Sequence, residues 1–137
     1  MPAENATPEQ LKAWHRRVVE ELWNNGNLDI VDEYMHPDVV GTGQAAGVTR
    51  EDAKAIVLEF RAAFPDLHVT IDNQVAEGDE LATFSTIQGT HSADFQGIPA
   101  TGNSIQLSTA CHLRFAEGKI VEESVTFDQE TFLSQLR

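Results

Sequence analysis

An α+β fold is what this sequence predicts: three helices packed on one face of a curved antiparallel sheet, with a pocket between the two layers. Three observations carry that prediction. Apolar residues recur at helical spacing as far as Phe64. From Leu67 onward the period shortens to strict alternation. The alternating segments then follow one another through Gly-containing turns, which suits antiparallel neighbours rather than parallel ones.

Each element has its own local reason. Thr7-Pro8-Glu9-Gln10 reads as a capping box with Pro in the first helical position. Leu11, Trp14, Val18 and Leu22, joined by Val19, form the apolar stripe behind it, and Asn24-Asn25-Gly26 ends the helix. A short second helix is predicted over Leu28 to Met35, broken by His36-Pro37-Asp38. Val39-Val40 reads as a stub of strand ahead of the Gly-rich stretch Gly41 to Gly47. Thr49-Arg50-Glu51-Asp52 caps a third helix carrying Ala53, Ile56, Val57, Phe60 and Phe64, and Pro65-Asp66 stops it. Leu67, Val69, Ile71 and Val75 then alternate with His68, Thr70, Asp72 and Gln74 as a half-buried strand. Glu77-Gly78-Asp79 turns the chain into a second strand, Leu81 to Thr90, and a loop runs from Ser92 to Asn103. Ile105 to Phe115 and Ile120 to Phe127 are long strands joined at Ala116-Glu117-Gly118-Lys119, and Asp128-Gln129-Glu130-Thr131 opens a short terminal helix. With no internal repeat, linker or low-complexity segment, residues 1–137 are expected to form one domain.

Charge excludes several partners. Twenty-two acidic against nine basic residues leave a net charge of −13, which repels polyanions and argues against nucleic acid or an anionic membrane surface. The single cysteine, Cys111, allows neither an internal disulfide nor a cysteine-based zinc site. No two histidines have the spacing of a helical metal pair, so no metal is expected. The opening Met-Pro-Ala-Glu-Asn lacks the basic and apolar regions of a signal peptide, and no apolar run approaches the roughly 20 residues that span a bilayer, so a cytoplasmic protein is expected.

The last two long strands bring chemistry-bearing residues together. If Ala116-Glu117-Gly118 is a three-residue loop, Phe115 pairs with Lys119, His112 faces Glu122 and Arg114 faces Ile120. His112, Arg114, Glu122, Ser124, Thr126 and Asp128 then share one face, while Leu113, Phe115, Val121, Val125 and Phe127 share the other. The polar face is either an active-site wall, with Arg114 paired to Glu122 or Asp128, or a sheet surface turned to solvent or to a second subunit. Asp128 is also a ready helix N-cap. Trp14 and Phe60 either wall an aromatic ligand or pack in the core, and Cys111 points to the apolar side. His15, His36 and His68 occupy unremarkable positions on or after helices and on the polar side of a strand.

A series of short motifs, in order, links the chain to a known family: Phe64-Pro65-Asp66-Leu67, Ala76-Glu77-Gly78-Asp79, Gly89-Thr90-His91, Phe95-Gln96-Gly97-Ile98-Pro99-Ala100-Thr101-Gly102, and Arg114-Phe115-Ala116-Glu117-Gly118-Lys119-Ile120-Val121-Glu122. In order and spacing they resemble the SnoaL-like polyketide cyclases (ester cyclase-like) of the NTF2-like superfamily. The resemblance implies an NTF2-like cone, usually dimeric, and a cofactor-independent enzyme that cyclises an apolar, polyketide-like carbonyl compound by general acid/base, aldol-type chemistry. It implies Asp128 as the acid/base carboxylate and a basic partner on the neighbouring strand, His112 or Arg114. His91 matches the family's Gly-Thr-His and is expected at the pocket mouth or on a substrate carbonyl. Arg114, His91, Glu122, Thr126, Trp14 and Phe60 make up the expected substrate-binding set, with no cofactor and a homodimer as the assembly. The same cone also hosts epoxide hydrolases, isomerases and non-catalytic binding modules, which stay open as alternatives. One departure concerns Ser124, where family members often carry Trp; a smaller side chain there reshapes the pocket.

Overall fold

The computed structural model describes residues 6–137; the N-terminal pentapeptide read above for leader character lies outside them. Helix α1 (Pro8–Val18) starts as its capping box predicts: the Gln10 amide N–H donates to the Thr7 hydroxyl at 3.2 Å and the Gln10 side chain accepts from the Thr7 N–H at 2.9 Å. It continues into a wider π-helical turn, Val19–Asn24. At the end of that turn Asn24 makes a backbone-like pair with Val69, accepting its N–H at 2.7 Å and donating to its carbonyl at 3.1 Å. Arg61 donates to the carbonyls of Trp23 and Asn24 at 2.7 and 3.0 Å, satisfying groups that a helix end leaves unpaired.

After α2 (Ile30–Tyr34) the chain forms a nine-residue strand, β1 (Met35–Gly43), rather than a stub at Val39-Val40. It lies at the sheet edge, parallel to the last strand, where Pro37 costs no ladder hydrogen bond. Helix α3 (Arg50–Ala63) follows, capped by Thr49 and Asp52 as expected. The remaining strands are β2 (His68–Glu77), β3 (Glu80–Thr90), β4 (Ser104–Ala116) and β5 (Lys119–Phe127), and α4 (Gln129–Gln135) closes the chain. Five strands form one open sheet in the order β1-β5-β4-β3-β2. No helix among the described residues is long and apolar enough to cross a membrane.

Two apolar clusters lie between helices and sheet. One gathers Leu11, Trp14, Val18, Leu22, Ile30, Val31, Tyr34 and Val57 against Leu81, Leu113, Phe115 and Ile120. The other is aromatic: Phe60 lies 5.0 to 6.2 Å, centroid to centroid, from Trp23, Phe64, Phe95 and Phe132. Phe95 enters this cluster from the 92–103 loop, pinned by reciprocal backbone bonds of 2.9 Å to Ile98. Gln135 of α4 covers the part of β4 beyond the end of β5, exchanging bonds of 2.7 and 3.0 Å with the Gln106 backbone.

The β4–β5 register corrects the expected one. The turn has two residues, Glu117 and Gly118, both in the left-handed region at φ 55° and 75°, so Ala116 pairs with Lys119 and Phe115 with Ile120. A one-residue bulge at Val121 then shifts the ladder, giving Arg114–Glu122, His112–Ser124 and Ala110–Thr126. The individual partners therefore differ from those of a three-residue loop. From Glu122 onward the two faces do not, because the short turn slips the pairing by one residue and the bulge slips it back; before the bulge Ile120, expected opposite Arg114, pairs with Phe115 and is fully buried, and Val121 leaves the apolar row as the bulge.

Candidate functional site

The outer, helix-free face of the sheet carries most of the residues singled out from sequence. Arg114 donates to Glu122 at 2.8 Å and stands 4.0 Å from Asp79. The hydrogen bond between Arg114 and Glu122, and then their opposite charges, hold the guanidinium pKa up and the Glu122 carboxyl below its ordinary range. His112 sits 2.9 Å from Glu80, more than half exposed. Asp128 is at the end of β5 and caps α4, accepting from the Thr131 N–H at 3.1 Å and the Thr131 hydroxyl at 2.8 Å; these bonds lower its pKa. His112 and Asp128 share this face but lie four residues apart along the ladder, roughly 13 Å at strand rise. Beside Asp128 an open depression of about 390 Å³ is lined by Asp72, Phe84, Ser108, Ala110 and Thr126 together with Phe127.

His91, Trp14 and Phe60 lie on the other side. His91 is completely buried where β3 enters the 92–103 loop, its Nδ1 3.1 Å from the Thr101 hydroxyl and its ring 5.6 Å from Phe64. Phe60 belongs to the aromatic cluster and Trp14 to the other core, its ring edge-on to Tyr34 at 6.5 Å.

Between helices and sheet lies a polar group that no motif announced. Glu123 pairs with Leu113, a fully buried residue of the helix-facing row, so its carboxyl projects inward. Its neighbour on the opposite strand is Gly41, which brings no side chain. Burial pushes the Glu123 carboxyl up to about 6. Tyr34 of α2 is held well above its ordinary range, first by burial, then by the nearby charge of Glu123 and by Cys111. Cys111 is pushed up to about 12, again by burial first and Glu123 second. His15 stacks on Tyr34 at 5.9 Å, with Nδ1 2.9 Å from the Thr83 hydroxyl, and burial lowers its pKa to about 4. Gln74 donates to the same hydroxyl at 3.3 Å. The result is a partly water-shielded carboxyl ionising near neutrality beside an uncharged phenol, on which an uncharged imidazole stacks. Sequence did offer one signal: Val121, Val125 and Phe127 form an apolar row at period two, and Glu123 interrupts it. Among the described residues no cluster of His, Cys, Asp and Glu could hold a metal ion.

Comparison with known proteins agrees with this architecture. The family model described as SnoaL-like polyketide cyclase matches residues 13–136. Among solved structures the chain is similar to AclR, a proposed hydroxylase from Streptomyces galilaeus, with 26% identity over 95% of this chain and 97% of that one and a TM-score of 0.84. It is also similar to IdmH, a proposed polyketide cyclase from Streptomyces antibioticus, with 30% identity over 90% and 96% of the two chains and a TM-score of 0.75. A proposed SnoaL-like cyclase from Jannaschia sp. CCS1 shares the fold at a TM-score of 0.82, with 22% identity over 94% and 92%. No curated protein matches.

Proposed function

The chain belongs to the SnoaL-like polyketide cyclase family, and we propose that it cyclises a polyketide-like carbonyl compound by general acid/base chemistry centred on Glu123. The observation that carries this reading is the inward carboxyl with a pKa of about 6. A base works best when it ionises near the working pH; at pH 7 a group of that pKa is mostly carboxylate, yet is still basic enough to take a proton.

In the reaction, the Glu123 carboxylate removes a proton from the carbon between two carbonyl groups. The resulting enolate carbon attacks a second carbonyl of the same molecule, forming one C–C bond. The alkoxide so produced takes the proton back from the Glu123 carboxyl. No redox equivalent is consumed, and substrate and aldol product have the same mass until water is lost. Tyr34, its phenol kept protonated and within reach of the Glu123 charge, is the donor to the enolate in this reading. The core surrounding it favours an apolar, uncharged substrate, in keeping with a chain of net charge −13.

The acid/base role expected for Asp128 passes to Glu123 in this reading. Both Asp128 oxygens are engaged by Thr131, and those bonds favour the carboxylate, so it is a weak base and a poor proton donor at neutral pH. The likeness to AclR favours a second reading, hydroxylation of a similar compound. Mass spectrometry of products from a panel of poly-β-keto methyl esters separates the two. Cyclisation leaves the mass unchanged or 18 Da lower by loss of water, whereas one added oxygen supports the second reading and contradicts the first.

A further inference from the structure

Building on the acid/base reading of Glu123, we propose that His15 is a further catalytic residue of this inner site, presenting Nε2–H to the carbonyl oxygen that becomes negative as Glu123 takes its proton. The argument starts from a hydrogen-bond chain. Gln74 donates through Nε2 to the Lys12 carbonyl at 3.2 Å, and since a carbonyl only accepts, this fixes which end of the amide carries the protons. The same Nε2 lies 3.3 Å from the Thr83 hydroxyl, which therefore accepts from Gln74. Thr83 keeps one proton to give. Two groups stand beside it, His15 Nδ1 at 2.9 Å and the Cys111 thiol. An imidazole nitrogen is the stronger acceptor, so the hydroxyl proton goes to Nδ1 and the ring proton of His15 sits on Nε2.

The hydrogen bond that His15 makes among the described residues is the one at Nδ1, which leaves Nε2–H to a bound molecule. Two polar atoms near the ring, Trp14 Nε1 and Gln74 Oε1, are buried and unpaired. Trp14 meets the same Tyr34 ring that His15 stacks on, and Gln74 holds the same hydroxyl. Buried polar atoms are rarely left without partners, and several at one place indicate a polar molecule that binds there. Tyr34 stacks on His15 and Cys111 adjoins Thr83, and the charge of Glu123 acts on both Tyr34 and Cys111, while His15 itself stays uncharged because burial lowers its pKa to about 4. An uncharged imidazole still donates a hydrogen bond without putting a full positive charge next to the base.

Two measurements test the assignment. Nitrogen NMR of histidine-labelled protein reads the tautomer without any substrate: protonated Nε2 and bare Nδ1, unchanged between pH 8 and pH 5, are expected. A protonated Nδ1, or an imidazolium forming above pH 5, overturns the proposal. The second measurement is deuterium exchange at the α-carbon of α-tetralone in D2O. His15→Phe keeps an aromatic ring in place and should slow exchange about 100- to 1,000-fold, the usual cost of one oxyanion donor. Exchange that survives His15→Phe but is lost in Glu123→Gln overturns the role of His15 alone. No exchange by the wild-type protein overturns the base reading and this proposal with it, whatever the tautomer. Thr83→Val, which removes only the hydroxyl, carries the test if His15→Phe does not fold; it should admit the Nδ1–H tautomer and slow exchange in parallel.

Discussion

Glu123 of β5 pairs directly with Leu113 of β4, so a carboxylate and a wholly buried leucine project from the same, helix-covered face of the sheet. A charged group in such a row carries a desolvation cost, and the protein meets it by letting the carboxyl hold its proton up to about pH 6. That relationship gives the site both its reactivity and a measurable effect on stability.

The stability effect has a definite sign. A carboxyl raised from 4.5 to about 6 binds its proton more tightly in the folded state, so its contribution falls as pH rises between those values, by about 2 kcal/mol in all. His15 acts in the opposite direction. Lowered from 6.5 to about 4, it binds a proton more weakly in the folded state, so stability rises with pH across that window by about 3 kcal/mol. Between pH 4.5 and 6 the two slopes oppose each other. Glu123→Gln removes one of them: urea unfolding should show the variant more stable than wild type at pH 7 by about 2 kcal/mol, with a steeper loss of stability on acidification.

At Asp128 a cap and a catalytic base make different demands. Asn caps helices as well as Asp does, so Asp128→Asn should keep both thermal stability and turnover. Asp128→Ala removes the acceptor for Thr131 and should lower the melting temperature while kcat stays within a factor of two. Paired melting curves and rates check both; loss of turnover in a fully stable Asp128→Asn would return the acid/base role to Asp128.

Gly41, opposite Glu123, is constrained by close approach rather than by its backbone angles. A Cβ there would come within 1.9 Å of the Ala45 carbonyl oxygen. Gly41→Ala is expected to push β1 away from the turn that follows it and to cost on the order of 1–3 kcal/mol, as overpacking usually does. Chemical denaturation gives the figure. Because β1 pairs with β5 at this point, the pKa of Glu123 should fall as water gains access.

The fold was legible where local chemistry decides. The capping boxes at Thr7 and Thr49, the change of period at Leu67 and the turn at Gly78 all read directly from residue types, as does the position, though not the length, of the turn at Gly118. What escaped depends on contacts distant in sequence. β1 contains Pro37, Gly41 and Gly43, which lower strand propensity, and its partner is some 80 residues further on. The bulge at Val121 has no residue signature, since a β-branched side chain suits a regular strand equally well. The polar face was legible because turn and bulge cancel. Asp128 was legible as a cap, and the resemblance to cyclases drew attention to it rather than to Glu123. Glu123 needed the strand pairing to show that an acidic residue among Val121, Val125 and Phe127 faces inward. His15 is a single histidine on an apolar helix face; only Thr83 and Gln74, about 60 to 70 residues away, give it a defined tautomer.

The most direct test of Glu123 as the acid/base group is the pH dependence of kcat/KM for cyclisation, measured for wild type, Glu123→Gln and Asp128→Asn. An acid limb near pH 6 in the wild type, a loss of about 100- to 10,000-fold in Glu123→Gln, and an unchanged profile in Asp128→Asn are the expected result. A Glu123→Gln enzyme that retains both its rate and that limb would contradict it.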